Sequence, residues 1–205
     1  MKRHVVFSVM AMSVGLLIPS VSNAGDVVVG QPAPAFAFTD TMGHAHTLAE
    51  FNGRFVVLEW MNPACPFVGK HYRSGNMPRL QTEMTKQQVV WLSIISSAPG
   101  KQGYSAPEQA HAFMREHGGS PTAIVLDEFG AIGRLYGART TPHMFVIGPD
   151  GMLLYNGAID DHPSTDPNDI PRATNYVRKA LEEAMAGKPV STPSVQPYGC
   201  SVKYE

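Results

Sequence analysis

Cys65 and Cys200 are the only two thiols of this 205-residue chain, and they stand in contrasting surroundings. Cys65 lies in Asn62-Pro63-Ala64-Cys65-Pro66, directly after the apolar run Phe55 to Met61 and directly before helix-forming residues. A cysteine at such a corner faces the unpaired N–H groups and the partial positive charge of a helix N-terminus. Both favour thiolate over thiol, so the site suits a nucleophile. Pro66 fits, because proline is well tolerated at the first helical position. The competing reading, a small buried core cysteine, carries less weight at a corner of this kind. Glu59, six residues earlier, puts a carboxylate inside an apolar strand, where it must be paired or protonated. Thiol exchange needs a group that can take and return a proton, and Glu59 is a candidate for that role.

Cys200 sits in Pro197-Tyr198-Gly199-Cys200-Ser201, in a Pro/Ser-rich tail over 189–205 that is expected to be flexible. One reading makes a Cys65–Cys200 bridge a permanent clip, which would add about 5 kcal/mol by closing a long loop. The other makes Cys200 a resolving thiol that forms and breaks the bridge in turnover. The second is preferred, because only the tail sulfur can resolve an intermediate at Cys65 within one chain.

The elements that must position these residues can be read in order. Ala35 to Phe38 is a short strand, and Leu48 to Phe51 a helical turn. Phe55 to Met61 is a buried strand, followed by helical residues to about Gln87 that Gly69, Gly75 and Pro78 kink or divide. Val89 to Ile95 is a second buried strand. Ser105 and Glu108 form a capping box for a helix to His117, stopped at Gly118-Gly119. Thr122 to Leu126 is a third strand, after which Asp127 caps a short helix ending at Gly137. Thr140-Thr141-Pro142-His143 leads into the strand Met144 to Ile147, and Gly148-Pro149-Asp150-Gly151 turns it into Met152 to Tyr155. Pro171 opens a last helix with apolar residues at a 3.6 period, ended by Gly187. The order β-α-β-α-β-α-β-β-α specifies an α/β fold, a central mixed sheet flanked by helices on both faces.

Residues 1–24 read as a secretory signal: Lys2 and Arg3, an uncharged run from Val5 to Ile18, then small residues up to a cleavage site after Ala24. The expected organisation is therefore 1–24 signal, 25–188 one domain and 189–205 tail, in a periplasmic or secreted protein without a stable membrane span after cleavage. Only 16% of residues are charged and the net charge is −1, so the basic footprint of a nucleic-acid binder is missing. At 43% hydrophobic residues the chain can build a core without staples. Two cysteines in an oxidising compartment allow at most one internal bridge. Lys70 and His71 read as surface or packing residues. His44 and His46 alternate on a strand or loop without further signal, no spacing resembles a structural zinc pattern, and neither metal nor cofactor is expected.

The segment Glu59-Trp60-Met61-Asn62-Pro63-Ala64-Cys65-Pro66-Phe67-Val68, together with Thr141-Pro142, resembles the thioredoxin superfamily. Within it the chain is most similar to secreted redoxin-domain proteins akin to the alkyl hydroperoxide reductase and thiol-specific antioxidant group. The resemblance runs from Ala35 to Tyr155. It implies a thioredoxin-like fold, an attacking thiolate at Cys65, a buried acid at Glu59 serving proton transfer, and a cis-proline at Pro142. The loop of that proline packs beside the sulfur and, with Thr141 and Pro66, presents a surface to a bound partner. Three positions depart from the family patterns. Val68 stands where a Cys-x-x-Cys motif has its second cysteine, and Leu58 and Asn62 stand where peroxiredoxins carry proline and Thr or Ser. The expectation is a thiol oxidoreductase acting on protein disulfides or peroxides, with Cys200 resolving and an external thiol reductant. A peroxidase of the thiol-specific antioxidant type and a non-catalytic binding module are the alternatives.

Overall fold

The computed structural model describes residues 27–205; the signal segment read over 1–24 lies outside the described residues. At the centre is a five-stranded mixed sheet. Its middle strand, β3 (Val56–Trp60; β1 and β2 precede it, below), is the fully buried run expected from its β-branched and aromatic residues. On one side β3 pairs in parallel with β4 (Val90–Ile95), which pairs in parallel with β5 (Ala123–Leu126). On the other side it pairs antiparallel with β7 (His143–Ile147), and β7 forms a hairpin with β8 (Leu153–Gly157). The α/β class and the mixed sheet are those read from the order of elements.

Side chains of β3 alternate between two cores. Val57 and Met61 join a core built with α1 (Pro66–Arg73), α2 (Asn76–Lys86), α3 (Pro107–His117) and α5 (Tyr176–Met185). Val56, Leu58 and Trp60 face the opposite core, closed by α4 (Ala131–Leu135) and by the hairpin of β1 (Ala37–Thr39) and β2 (Ala45–Thr47). The helical stretch after Cys65 divides at Gly75, whose φ of +71° suits glycine.

Two of three helix starts differ in detail from the sequence reading. The cap of α3 is Ala106 rather than Ser105, and its N–H donates to Gln109 Oε1 at 2.9 Å. Gln109 is at the third helical position, so the reciprocal half of a capping box forms one residue later than expected. Asp127 does serve α4, its carboxylate accepting from the N–H groups of Ile132 and Gly133 at 3.1 and 2.8 Å. Pro171 lies inside a 3₁₀ segment, Pro167–Arg172, and Asn175 caps α5 through Arg178 N–H. Asn175 can accept from the first turn, and that bond places the helix start.

The tail departs most from expectation. It is strapped to the domain along its length. Ser191 is held by Glu183, Asn156 N–H donates to Pro193 O, and Val202 N–H donates to Arg139 O at 3.0 Å. Further on, Lys203 O accepts from Ala98 N–H, and Tyr204 Oη donates to Ala138 O at 2.9 Å. Between these straps the tail forms β9 (Cys200–Ser201), antiparallel to β6 (Thr140–Thr141), with Thr141 opposite Cys200. Gly199 permits this approach. Its φ is +132°, and a Cβ there would lie 2.1 Å from Thr141 O. Replacing Gly199 with alanine is therefore expected to detach β9 at a local cost of about 1–3 kcal/mol. Amide hydrogen exchange of Cys200 and Val202 should rise by about tenfold or more while the central strands keep their protection.

Candidate active site

The corner after β3 is built by local hydrogen bonds. Asn62 Oδ1 accepts from Ala64 N–H at 2.8 Å, Asn62 Nδ2 donates to Gln102 O at 3.0 Å, and Cys65 N–H donates to Asn62 O. Cys65 is thereby the N-cap of α1, with Pro66 at the first helical position. The N–H of Val68 is aimed back at the sulfur. Val68, which replaces the second cysteine of a local dithiol, thus contributes its backbone to the thiolate.

Thr141 and Pro142 arrive from the other side of the sheet, since Trp60 at the end of β3 faces His143 at the start of β7. The Thr141–Pro142 peptide is cis, as the family resemblance implied. Cys65 Sγ donates to Thr141 O at 3.1 Å. Thr141 Oγ1 is buried, has no conventional hydrogen-bond partner, and lies near enough to the sulfur to favour its charged form. Because Cys200 is the β-partner of Thr141, its thiol and its N–H both come within hydrogen-bonding reach of Cys65.

These surroundings separate the two thiols. Burial pushes the Cys65 thiol up, but Thr141, the Cys200 thiol and the N–H groups of Val68 and Cys200 outweigh it and hold the thiol below its ordinary value. Cys200 is pushed up to about 11, by burial first and then by its bond to Cys65. Cys65 is therefore the more acidic of the two thiols, and Cys200 holds its proton more tightly. Both are free, with Cys65 only 1% exposed and Cys200 half-buried.

Glu59 is fully buried and accepts four hydrogen bonds, from Trp91 Nε1 (2.8 Å), Tyr72 Oη (2.9 Å), Ser93 Oγ (2.9 Å) and Gln81 Nε2 (3.0 Å). The Cys65 thiol is not among these donors. The carboxyl clasps α1 and α2 onto β3 and β4, and Tyr72 Oη also reaches Met61 Sδ at 3.7 Å.

Lys70 and His71 are completely buried and not surface residues. Lys70 Nζ donates to His162 O at 2.8 Å and lies 3.7 Å from Asp160 Oδ2. Asn76 Nδ2 donates to His71 Nδ1 at 2.9 Å, which leaves the ring proton on Nε2, facing Tyr198 Oη at 3.3 Å. Tyr198 Oη in turn donates to Asp160 Oδ1. Burial lowers His71 to a pKa of about 4, so the ring is neutral at neutral pH. Tyr198 stands two residues before Cys200, and its ring also meets Phe67 of α1 edge-on. Sequence reasoning missed this cluster. Its only sequence signal is a lysine and a histidine that fall on the buried side of an amphipathic helix.

Glu59 yields a pH test. Burial raises its carboxyl above the ordinary 4.5, against the pull of its four donors. The folded chain therefore binds this proton more tightly than the unfolded chain. Stability from this group is full below about pH 4.5 and declines as pH rises through the raised folded value, by up to about 1.4 kcal/mol per pH unit. Glu59→Gln is expected to abolish the decline, while costing about 1–3 kcal/mol at low pH because an amide nitrogen cannot accept. Urea unfolding across a pH series of both proteins measures this, and parallel profiles would refute it.

The chain is similar over 88% of its length, and 97% of the other, to a hypothetical protein of Sinorhizobium meliloti 1021, with 24% identity and a TM-score of 0.73. An uncharacterized conserved protein of Geobacillus kaustophilus matches 87% of the chain and is itself covered to 93%, with 26% identity and a TM-score of 0.74. A putative thiol:disulfide interchange protein of Chlorobium tepidum shares the fold at 21% identity and a TM-score of 0.51, over 64% of this chain and 85% of its own. No curated protein matches the sequence. The family model described as AhpC/TSA matches residues 29–156, which take in β3, the Cys65 corner and the Thr141–Pro142 loop. The chain has a thioredoxin-like fold and belongs to the AhpC/TSA family.

Proposed function

We propose that the chain is a thiol oxidoreductase of the cell envelope in which Cys65 attacks and Cys200 resolves. Membership of the AhpC/TSA family supports a redox function in general. The observation that carries the specific reading is the pairing of Thr141 with Cys200, which seats the tail thiol against the Cys65 sulfur while only Cys65 favours the charged form.

In disulfide exchange, the Cys65 thiolate attacks one sulfur of a substrate disulfide. A Cys65 mixed disulfide forms and the other substrate sulfur leaves as thiolate. Cys200 gives its proton to the departing sulfur and attacks Cys65. The Cys65–Cys200 disulfide closes and the second substrate sulfur is released as thiolate, which takes its proton from solvent. Two electrons pass from the dithiol to the substrate, and an external thiol reductant returns them. Cys200 is the more exposed sulfur and Cys65 the lower-pKa leaving group, so the returning reductant attacks Cys200 and expels Cys65. Pro66, Thr141 and Pro142 frame the sulfur on the side where a partner docks. Glu59 acts as a positioning residue through the helix that carries Cys65.

A second reading is favoured by the burial of Cys65, which a peroxide reaches more easily than a protein disulfide. Thiolate attack on ROOH breaks the O–O bond, leaves Cys65 as the sulfenic acid and, with one proton taken from solvent, releases ROH. Cys200 then condenses with it and water leaves. Against this reading, the Asn62 side chain that stands in place of a peroxide-holding hydroxyl is committed to the corner backbone.

Cys200→Ser separates cycling from a static clip. The variant is expected to trap a mixed disulfide at Cys65 and to lose at least about tenfold in steady-state turnover, by loss of the resolving step. Insulin reduction, and stopped-flow consumption of hydrogen peroxide and an alkyl hydroperoxide, assign the substrate class. Unchanged turnover in the variant would remove Cys200 from the cycle.

A further inference from the structure

The hairpin of β1 and β2 carries a second cluster of chemically competent side chains, on elements outside the corner and loop that hold Cys65. Three groups converge there, each offering one ligand atom, and these atoms lie within 4.8 Å of one another: Asp40, His44 and His46. Asp40 Oδ2 is 3.4 Å from His44 Nδ1 and 3.5 Å from His46 Nε2. Tetrahedral zinc with bonds of about 2.0–2.1 Å requires neighbouring ligand atoms about 3.4 Å apart, whereas cis ligands in a square-planar or octahedral site would stand about 2.9 Å apart.

Two of the three ligands are aimed by a neighbour. Asp40 Oδ1 accepts from the N–H groups of Met42 and His44 at 2.9 and 2.8 Å, which leaves Oδ2 directed at the two rings. His46 Nδ1 meets Glu50 Oε2 at 3.1 Å, and this contact presents Nε2 as the free nitrogen. A carboxylate on the far nitrogen of a coordinating imidazole is the usual orienting arrangement of zinc histidines. Glu50 is itself fixed, since its Oε1 accepts from Thr47 N–H at 2.9 Å. The ring of His46 also packs on Phe38 and Phe51, with centroids 5.2 and 6.2 Å away. His44 is largely exposed, so an ion can enter and a water can take the fourth position.

We propose that Asp40, His44 and His46 form a binding site for a divalent first-row metal ion, zinc by geometry, with Glu50 orienting His46. The sequence shows the two histidines two residues apart. The turn over 40–44 supplies the carboxylate, and the helical turn that follows supplies the orienting acid.

Isothermal titration of zinc chloride into the full chain tests the site. The background is Cys65→Ser with Cys200→Ser, so that the thiols contribute no ligand. One equivalent is expected to bind. His46→Ala and His44→Ala should each lower the affinity by at least about a hundredfold, and Glu50→Gln by about tenfold. His162→Ala, at the exposed pair with Asp161, should leave it unchanged. Cobalt titrated instead of zinc should give the intense visible bands of a tetrahedral ion. Absence of stoichiometric binding, or an affinity in the His44 and His46 variants unchanged from that of the parent, overturns the proposal. Loss of affinity in His162→Ala alone would move the site elsewhere and also overturn it. Because both thiols are absent throughout, the outcome is independent of the redox reading of Cys65.

Discussion

The interaction on which this molecule turns is a ladder of two residues. Thr141 offers its carbonyl to the Cys65 thiol and its backbone to Cys200, so a single residue holds both sulfurs in one place. The two cysteines are separated by most of the chain, and nothing local could bring them together. The close approach requires a residue without a side chain at Gly199 and a docked tail on either side of it. Once that ladder is formed, the division of labour follows from electrostatics. The sulfur at the helix N-terminus gathers N–H groups and becomes the more acidic of the two, and the sulfur beside it is pushed toward the thiol. A permanent clip would need only proximity. The split in proton affinity is what exchange chemistry uses.

Two buried polar assemblies support this arrangement. Glu59 collects four donors from two helices and one strand, and a carboxyl so satisfied fixes how α1 and α2 sit on the sheet. Asp160, Lys70, His71 and Tyr198 tie the same helix to the tail just ahead of Cys200. A buried ion pair of this kind adds little net stability compared with apolar packing, but removing one partner is costly, because the other charge is then stranded. Its effect is specificity of placement. The tail cannot shift without breaking a hydrogen bond to a buried carboxylate.

Much of the scaffold was legible from the chain. The run Phe55 to Met61 and the Cys-Pro junction identify a strand-to-helix corner by local propensity alone, and the alternation of strands and helices specifies the mixed sheet. Thr141-Pro142 was recognised through family resemblance. The tail was misread because its order comes from contacts far away in sequence: Asn156 with Ser194, Arg139 with Val202, Thr141 with Cys200. A Pro/Ser-rich composition carries no periodicity from which such pairing could be inferred. Lys70 and His71 read as surface or packing residues, and the structure decides for packing. Charge alone suggests a surface, and only the arrival of Asp160 and Tyr198 makes burial tolerable. The shifts at Ser105 and Pro171 are of the small size expected at helix ends, where a side chain one position along can supply the cap.

The measurement that bears most directly on the Cys65–Cys200 couple is a redox titration of the wild-type chain in glutathione buffers, with the disulfide state read by peptide mass spectrometry. A single Cys65–Cys200 disulfide should form and open reversibly as one two-electron step, tenfold in the equilibrium constant for each ~30 mV. A chain that keeps two thiols throughout, or a bridge that no reductant in the series opens, would contradict the account.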